Sequence, residues 1–190
     1  EDEISAINEA IGASFAGVRA MTATSGGGFC LMSEALGLAA CIETPLVIIE
    51  GQRPGPSTGL PTKTSQGDLR FVLHAGQDDF PRAVVAPATV EECFYLTAQA
   101  FNVADKFQMP VIVLVDKYLA ESAKTAELDE SKISIDRGKW ALEGELGPNF
   151  KRYSFDAQDG VSPRSRPGLK GGIFDAASDE HYEKGFLQDD

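Results

Sequence analysis

Three groups of polar residues in this 190-residue chain have types and spacing that chemistry can use. Glu3 stands in the first turn of a predicted helix, where a carboxylate exchanges protons or simply stabilises the helix dipole. The run Thr24-Ser25-Gly26-Gly27-Gly28 offers hydroxyls and backbone amides at a helix start, or is a plain strand-to-helix turn. Arg53 carries a guanidinium that can bind a carboxylate through two parallel hydrogen bonds, or is a solvated loop arginine.

The other candidate residues carry weaker signals. His74 and His181 are the only histidines, and neither has a carboxylate at a telling spacing. Asp116 ends a predicted strand, where it is placed either for chemistry or for capping the next turn. No Gly-x-Ser-x-Gly motif occurs, so the sequence does not indicate a hydrolase.

Apolar blocks predict the elements that must position these residues. Apolar residues at steps of three and four predict an amphipathic helix that begins near Asp2. Residues 20–24 are then interpreted as a short strand and 29–42 as a helix, with the triple glycine as the turn between them. Uninterrupted apolar runs of strand length predict strands buried on both faces of a parallel sheet, at 46–49, 83–86 and 111–115.

A further helix lies between the last two of these strands. Thr89 and Glu92 have the spacing of a capping box, and Pro110 requires the helix to end before it. The order of elements predicts an α/β domain over residues 1–126, a doubly wound, mostly parallel sheet with helices on both faces.

Two segments fall outside this pattern. Residues 51–66 contain three prolines and no convincing helix or strand, and a long, stiff loop of this kind is typical of a binding loop. Residues 127–190 are rich in glycine, proline and charge, and are predicted to be an extended arm or a linker to the next domain or to a partner subunit.

Composition excludes several classes of partner. The formal net charge of −12 repels phosphate backbones and anionic lipid, so nucleic acid is not expected as a partner. No apolar stretch approaches the roughly 20 residues of a membrane span. Three widely spaced cysteines make neither a disulfide framework nor a metal-ligand set, which fits the cytoplasm. The chain begins without Met, so we expect the numbering to start inside a longer protein.

The polar groups stand in longer strings that resemble one enzyme family. Glu3, followed by the turn at 24–28, is similar to the pyrimidine-binding domain of thiamin diphosphate enzymes, in which an activating glutamate precedes a Thr-Ser-Gly-Pro-Gly turn. The remaining strings, which extend over nearly the whole chain, resemble the α subunit of 2-oxoacid:ferredoxin oxidoreductases of the 2-oxoglutarate type. These strings are Ala13-Ser14-Phe15-Ala16-Gly17, Leu31-Met32-Ser33-Glu34-Ala35, Arg53-Pro54-Gly55-Pro56-Ser57-Thr58-Gly59-Leu60-Pro61-Thr62, Gln66-Gly67-Asp68-Leu69, Phe80-Pro81-Arg82, Gly160-Val161-Ser162-Pro163-Arg164 and Asp179-Glu180-His181.

The resemblance implies the thiamin diphosphate-binding fold and a role for each matched residue. Glu3 matches the glutamate that hydrogen-bonds N1′ of the aminopyrimidine, a task that a dry carboxyl performs best. Arg53 matches the position that binds the carboxylate of the 2-oxoacid, while Thr24, Ser25 and Gly26 would line the pyrimidine pocket. The sequence departs from the family at Gly27, where proline is usual, and the family's Tyr-Pro-Ile-Thr-Pro segment would precede Glu1.

The resemblance also implies a reaction and partners. The expected activity is oxidative decarboxylation of a 2-oxoacid to its acyl-coenzyme A, with electrons passed to ferredoxin. A β subunit is expected to bring magnesium, the diphosphate site and a 4Fe-4S cluster, since neither a Gly-Asp-Gly motif nor a cysteine quartet occurs here. Two alternatives stay open: a non-catalytic α/β module that binds an anionic metabolite, and a thiamin diphosphate decarboxylase independent of ferredoxin. Pyruvate or a branched 2-oxoacid is also compatible with the sequence.

Overall fold

A computed structural model describes residues 2–177 and 179–186 and has a four-stranded parallel sheet at its centre. The strands lie in the order β1-β2-β4-β3, with β1 at Met21–Ser25, β2 at Leu46–Gln52, β3 at Ala83–Val85 and β4 at Pro110–Asp116. The helices are α1 (Glu3–Phe15), α2 (Gly26–Cys41), α3 (Leu69–His74), α4 (Val90–Phe107) and α5 (Lys117–Ala120). The continuous apolar runs thus form the buried parallel strands that the sequence predicted.

Helices cover both faces of this sheet. On one face, α1, α2 and α3 contribute Ile7, Phe29 and Val72 to a core that also takes in Ile48 of β2. On the other face, α4 packs Ala100 and its neighbours against β2 and β4. The predicted doubly wound α/β fold is therefore confirmed. Among the described residues, no helix combines the length and apolar character that a bilayer span requires.

The register of the sheet brings the ends of three strands together. Ser25 at the end of β1 lies beside Gly51 of β2, and Gly51 lies beside Val115 of β4. One residue further, Gln52 pairs with Asp116. Ligands of open parallel sheets bind beyond these carboxyl ends. The triple glycine and the Arg53 loop both leave the sheet at this edge.

Two predicted boundaries were wrong at this same edge. Helix α2 begins at Gly26 rather than Phe29, so the triple glycine is its first turn and not a turn before it. Strand β2 continues through Glu50 to Gln52 instead of ending at Ile49. In both places a residue type that disfavours the element was overridden by tertiary contacts, which are described below.

The start of α4 follows the sequence closely. The Thr89 hydroxyl accepts a hydrogen bond from the backbone N–H of Glu92 at 3.1 Å, as a capping box requires. The Glu92 carboxylate reaches back to the N–H of Ala88 at 2.7 Å, one residue before the expected partner. The helix ends with Gln108 in the left-handed region, before Pro110 as predicted.

The described part of the C-terminal segment packs against the domain with little regular structure. Its principal anchor is Asp105 of α4, whose buried carboxylate accepts from Arg164 at 2.9 Å and from Arg137 at 3.0 Å. Arg19, which precedes β1, donates to the same carboxylate at 2.8 Å. Arg152 binds the carboxylate of Glu43, which follows α2, at 2.9 Å. The domain boundary after residue 126 and a linker role for the segment stay predictions.

Candidate functional site

The first turn of α2 brings a different charged side chain against each of its three glycines. A Cβ atom added to Gly28 would lie 2.6 Å from Oε1 of Glu3, and one added to Gly27 would lie 2.9 Å from Nη2 of Arg53. A Cβ atom at Gly26 would meet carboxylate oxygens of two acids. Any larger residue would push these groups away, since real Cβ contacts below 3.0 Å are essentially never found. Glycine is therefore needed here for close approach, at a cost in helix propensity.

Glu3 reaches this turn from the start of α1. The side chain of Asp2 caps the helix by accepting from the N–H of Ser5 at 2.8 Å, which fixes Glu3 in the first turn. The Glu3 carboxylate then lies against Gly28, and the hydroxyl of Thr24 approaches the same point more closely still. Glu3 is half-buried in this chain, so part of the residue remains accessible.

Arg53 is held in place from the other side of the turn. Its Nε donates to the Ser25 hydroxyl at 3.1 Å, and its Nη1 donates to the carbonyl oxygen of Thr58 at 2.5 Å. These two bonds orient the guanidinium so that Nη2 faces Gly27. Within the described residues no hydrogen bond uses Nη2, so this donor remains for an anion.

The loop that follows Arg53 is fastened to the sheet rather than hanging free. The N–H of Leu60 donates to the carbonyl oxygen of Pro54 at 3.1 Å, which closes the loop on itself. Further along, the Gln66 amide donates to Asp116 at 2.6 Å. Asp116 also caps α5 by accepting from the N–H of Leu119 at 2.7 Å, so its capping role is present together with a role in holding the loop.

Two functional candidates that the sequence interpretation missed lie beneath Gly26. Glu50 of β2 is fully buried, and neither of its carboxylate oxygens has a hydrogen-bond partner in the described structure. Oδ2 of Asp68, the residue before α3, is likewise buried and unpartnered. Burial and the neighbouring charge of Asp68 raise the pKa of the Glu50 carboxyl to about 8, while Arg53 acts in the opposite direction. A charged residue inside an apolar strand was the signal that could have revealed this pair.

All five residues predicted for the site therefore lie around one helix start. Glu3 and Thr24 meet at Gly28, Ser25 holds Arg53, and Gly26 covers the buried acids. His181 lies elsewhere, packed on Tyr153 with ring centroids 3.9 Å apart. No group of three or more His, Cys, Asp or Glu side chains converges as a metal site in residues 2–177 and 179–186.

The arrangement suits two chemical tasks. A half-open carboxylate beside a hydroxyl and glycine backbone can exchange a proton with a ring nitrogen at close range. A guanidinium fixed through two of its nitrogens, with a third donor left over, can bind a carboxylate in a defined orientation. Because Gly27 and Gly28 are consecutive, the two tasks are served by adjacent residues of one turn.

Comparisons with known proteins show which family the chain resembles. The profile of the pyruvate flavodoxin/ferredoxin oxidoreductase, thiamine diphosphate-binding family matches residues 1–190. The 2-oxoacid:ferredoxin oxidoreductase 1 subunit alpha of Sulfurisphaera tokodaii is 47% identical over 193 residues, covering all of this chain and 30% of that protein. The 2-oxoglutarate synthase subunit KorA of Archaeoglobus fulgidus is 47% identical over 147 residues, covering 76% of this chain and 42% of KorA. The chain thus spans less than half the length of these curated relatives.

A solved structure is also closely similar. It is the 2-oxoglutarate:ferredoxin oxidoreductase from Magnetococcus marinus with 2-oxoglutarate, coenzyme A and succinyl-CoA bound. The two share 42% sequence identity with a TM-score of 0.91, over 97% of this chain and 32% of the other. At this level of similarity the fold and the course of the backbone correspond over almost the entire chain.

Proposed function

The chain belongs to the pyruvate flavodoxin/ferredoxin oxidoreductase family of thiamine diphosphate-binding domains, and we propose that it is part of the α subunit of a 2-oxoacid:ferredoxin oxidoreductase. The proposed reaction is oxidative decarboxylation of a 2-oxoacid, with 2-oxoglutarate as the substrate, to its acyl-coenzyme A, with electrons passed to ferredoxin. The observation that carries the proposal is the approach of the Glu3 carboxylate and the Thr24 hydroxyl to Gly28, next to an Arg53 that is held by Ser25 and Thr58.

Glu3 is proposed as the residue that activates the cofactor. Its carboxylate would hydrogen-bond N1′ of the aminopyrimidine, with Thr24, Ser25 and Gly26 lining the pocket. Glycine at position 28 lets the Glu3 carboxylate and the Thr24 hydroxyl approach the backbone of the helix start together. Thiamin diphosphate, when bound, supplies the carbanion chemistry that decarboxylation requires. The proposed role of Glu3 is to exchange one proton with the cofactor, which a half-buried residue can reach.

Arg53 is proposed as the anchor of the substrate carboxylate. The bonds to Ser25 and Thr58 occupy Nε and Nη1, so the guanidinium does not need to reorganise when an anion binds at Nη2. The glycine at position 27 keeps the path to this nitrogen clear.

The rest of the proposed machinery lies on other chains. We assign magnesium, the diphosphate site and the 4Fe-4S cluster to a β subunit, so the chain is inactive without that partner. Coenzyme A and ferredoxin are the proposed co-substrates, and the cytoplasm is the proposed compartment. Heteromeric assembly also accounts for a Glu3 that is only half-buried in the single chain, because the partner would complete its cover.

The test replaces Glu3 in the assembled complex. Glu3→Gln keeps the shape of the side chain but cannot take up a proton, so turnover should fall by about 10²- to 10⁴-fold. Glu9→Gln, an exposed acid on the same helix, is the matched control and should leave turnover unchanged. Titration of thiamin diphosphate into the chain with and without its β partner should give binding only with the partner. Near-normal turnover in Glu3→Gln would refute the assignment.

A second set of measurements tests the substrate. Arg53→Ala should raise KM for 2-oxoglutarate by about 10- to 100-fold, the value of a hydrogen bond to a charged group, while Arg70→Ala on the exposed face of α3 should not. Comparison of kcat/KM for 2-oxoglutarate and pyruvate tests the specificity alone. Preference for pyruvate would overturn 2-oxoglutarate as the substrate and leave the class of reaction intact.

A further inference from the structure

A pair of buried acids lies beneath the proposed substrate anchor. Glu50 is 0% exposed, and its two oxygens receive no hydrogen bond from any donor in the described structure. Oδ2 of Asp68 approaches it under Gly26 and is also without a donor. Two ionised carboxylates in such a place would repel each other with only the Arg53 charge to compensate, whereas one shared proton satisfies both.

The charged groups that face Glu50 come from a small number of elements. Its side chain points toward the layer formed by α1, α2 and α3, as that of Ile48 two residues earlier does. Asp68 approaches from the segment before α3, and Arg53 from the end of β2. Glu3 on α1 contacts Gly28 rather than Gly26, and Asp116 on β4 is bound to Gln66. The first turn of α2 carries no charged side chain.

We propose that Glu50 and Asp68 share a single proton and act as positioning residues that set the electrostatic potential at Arg53. With one proton the pair carries one negative charge, which balances the guanidinium and leaves it attractive to a substrate carboxylate. Loss of that proton would place two negative charges behind a single positive one. The expected effect on substrate binding rests on the proposed function of Arg53 as substrate anchor. The presence of the shared proton does not depend on that function.

The direction of the pH effect follows from this arrangement. Because burial raises the pKa of Glu50 to about 8, the pair keeps its proton at neutral pH and loses it as the pH rises through that value. The potential at Arg53 then becomes less positive, and a 2-oxoacid carboxylate binds more weakly. KM for the substrate should therefore rise above pH 8, whereas a purely structural role for the pair would not link KM to this proton.

The experiment measures KM for 2-oxoglutarate in the assembled enzyme between pH 6.5 and 9. Wild-type KM should rise roughly three- to tenfold between pH 7 and 9. Glu50→Gln fixes the charge of the pair at minus one, since the amide can donate to Asp68, so its KM should stay near the neutral-pH value throughout. Asp68→Asn removes the neighbouring charge while burial still acts on Glu50, so the rise in KM should shift to lower pH. Glu34→Gln, an exposed acid on α2, is the control and should keep the wild-type profile.

An infrared measurement separates this inference from the proposed function. The wild-type complex should show a protonated carboxyl band at pH 7 that disappears above pH 8. Glu50→Gln should lack this band, and in Asp68→Asn the band should disappear at lower pH than in the wild type. Presence of the band without 2-oxoacid turnover would refute the proposed function and leave the shared proton standing. Absence of the band in the wild type, or a wild-type KM profile retained in both variants, would overturn the inference. The second variant keeps the test decisive if the first does not fold.

Discussion

Two buried carboxyl groups at opposite ends of the sheet are satisfied in opposite ways. Asp105, near the end of α4, accepts hydrogen bonds from Arg19, Arg137 and Arg164. Glu50, near the end of β2, meets a second acid instead and has no donor. A buried acid that is surrounded by cations forms ion pairs that join segments of the chain. A buried acid beside another acid favours a protonated carboxyl group.

The two kinds of buried acid also differ in their position relative to the proposed site. The Asp105 cluster lies away from the α2 helix start and joins the C-terminal segment to the domain. The Glu50 pair lies directly under that helix start, where its charge acts on Arg53. We expect the first region to contribute mainly to stability and the second to carry the charge that changes with pH. The predictions below test this distinction in the assembled enzyme.

The largest expected effect is the loss of the Asp105 charge. Asp105→Asn leaves the buried Arg164 guanidinium, and the partly exposed Arg19 and Arg137, without their counter-charge. It should lower the free energy of unfolding by about 3–5 kcal/mol, most of it through Arg164. Hydrogen exchange of α4 amides at increasing urea concentrations measures this change. Asp156→Asn, which removes an exposed ion pair to Lys151 at 3.7 Å, is the control and should have no measurable effect. Equal exchange in the two variants would contradict a structural role for the cluster.

The next effect is a pH dependence that belongs to Glu50. The folded chain keeps the Glu50 proton up to about pH 8, while the unfolded chain loses it near the ordinary value of 4.5, so the folded state binds more protons in between. Stability should therefore fall as the pH rises through this window and level off above it. Between pH 5 and pH 8 wild type should lose about 3 kcal/mol relative to Glu50→Gln. Hydrogen exchange of β2 amides at both pH values tests this, and a constant difference would contradict it.

The smallest effect concerns the glycine that covers the pair. Gly26→Ala would place a Cβ atom within 3.0 Å of Glu50 Oε1 and closer still to Asp68, so it should cost about 1–2 kcal/mol and separate the two acids. Gly12→Ala on α1, where a Cβ atom meets nothing within 4 Å, should stabilise by about 0.5–1 kcal/mol. Thermal unfolding of the two variants measures the contrast. A Gly26→Ala enzyme as stable as Gly12→Ala would show that the pair tolerates separation.

Local signals in the sequence were sufficient for most of the fold. The apolar runs predicted the buried strands because burial on both faces leaves no room for alternation. The Thr89 cap and Pro110 bounded α4 because capping and proline geometry act within a few residues. Helix α3 was not predicted, since six residues are too few to show a clear period.

The five residues predicted for the site lie close together in the structure, but the sequence did not predict how they meet. Glu3 and Gly28 are 25 positions apart, and no local rule states that one helix start will meet another. The same limit explains the two boundary errors. Gly26 was interpreted as part of the turn before the helix, and the strand was predicted to end at Ile49. The approach of Glu50 and Asp68 to Gly26 is made across the fold and has no local signal. Chemistry-bearing residues violate local preference where distant segments meet.

The Asp105 carboxylate bears on what happens when the backbone is cut. Its three arginine partners lie on separate stretches of sequence, at positions 19, 137 and 164. A single break of the backbone between Arg137 and Arg164 would leave each fragment with its own bond to the same acid. The nicked protein should therefore stay associated through the bond between Asp105 and Arg164.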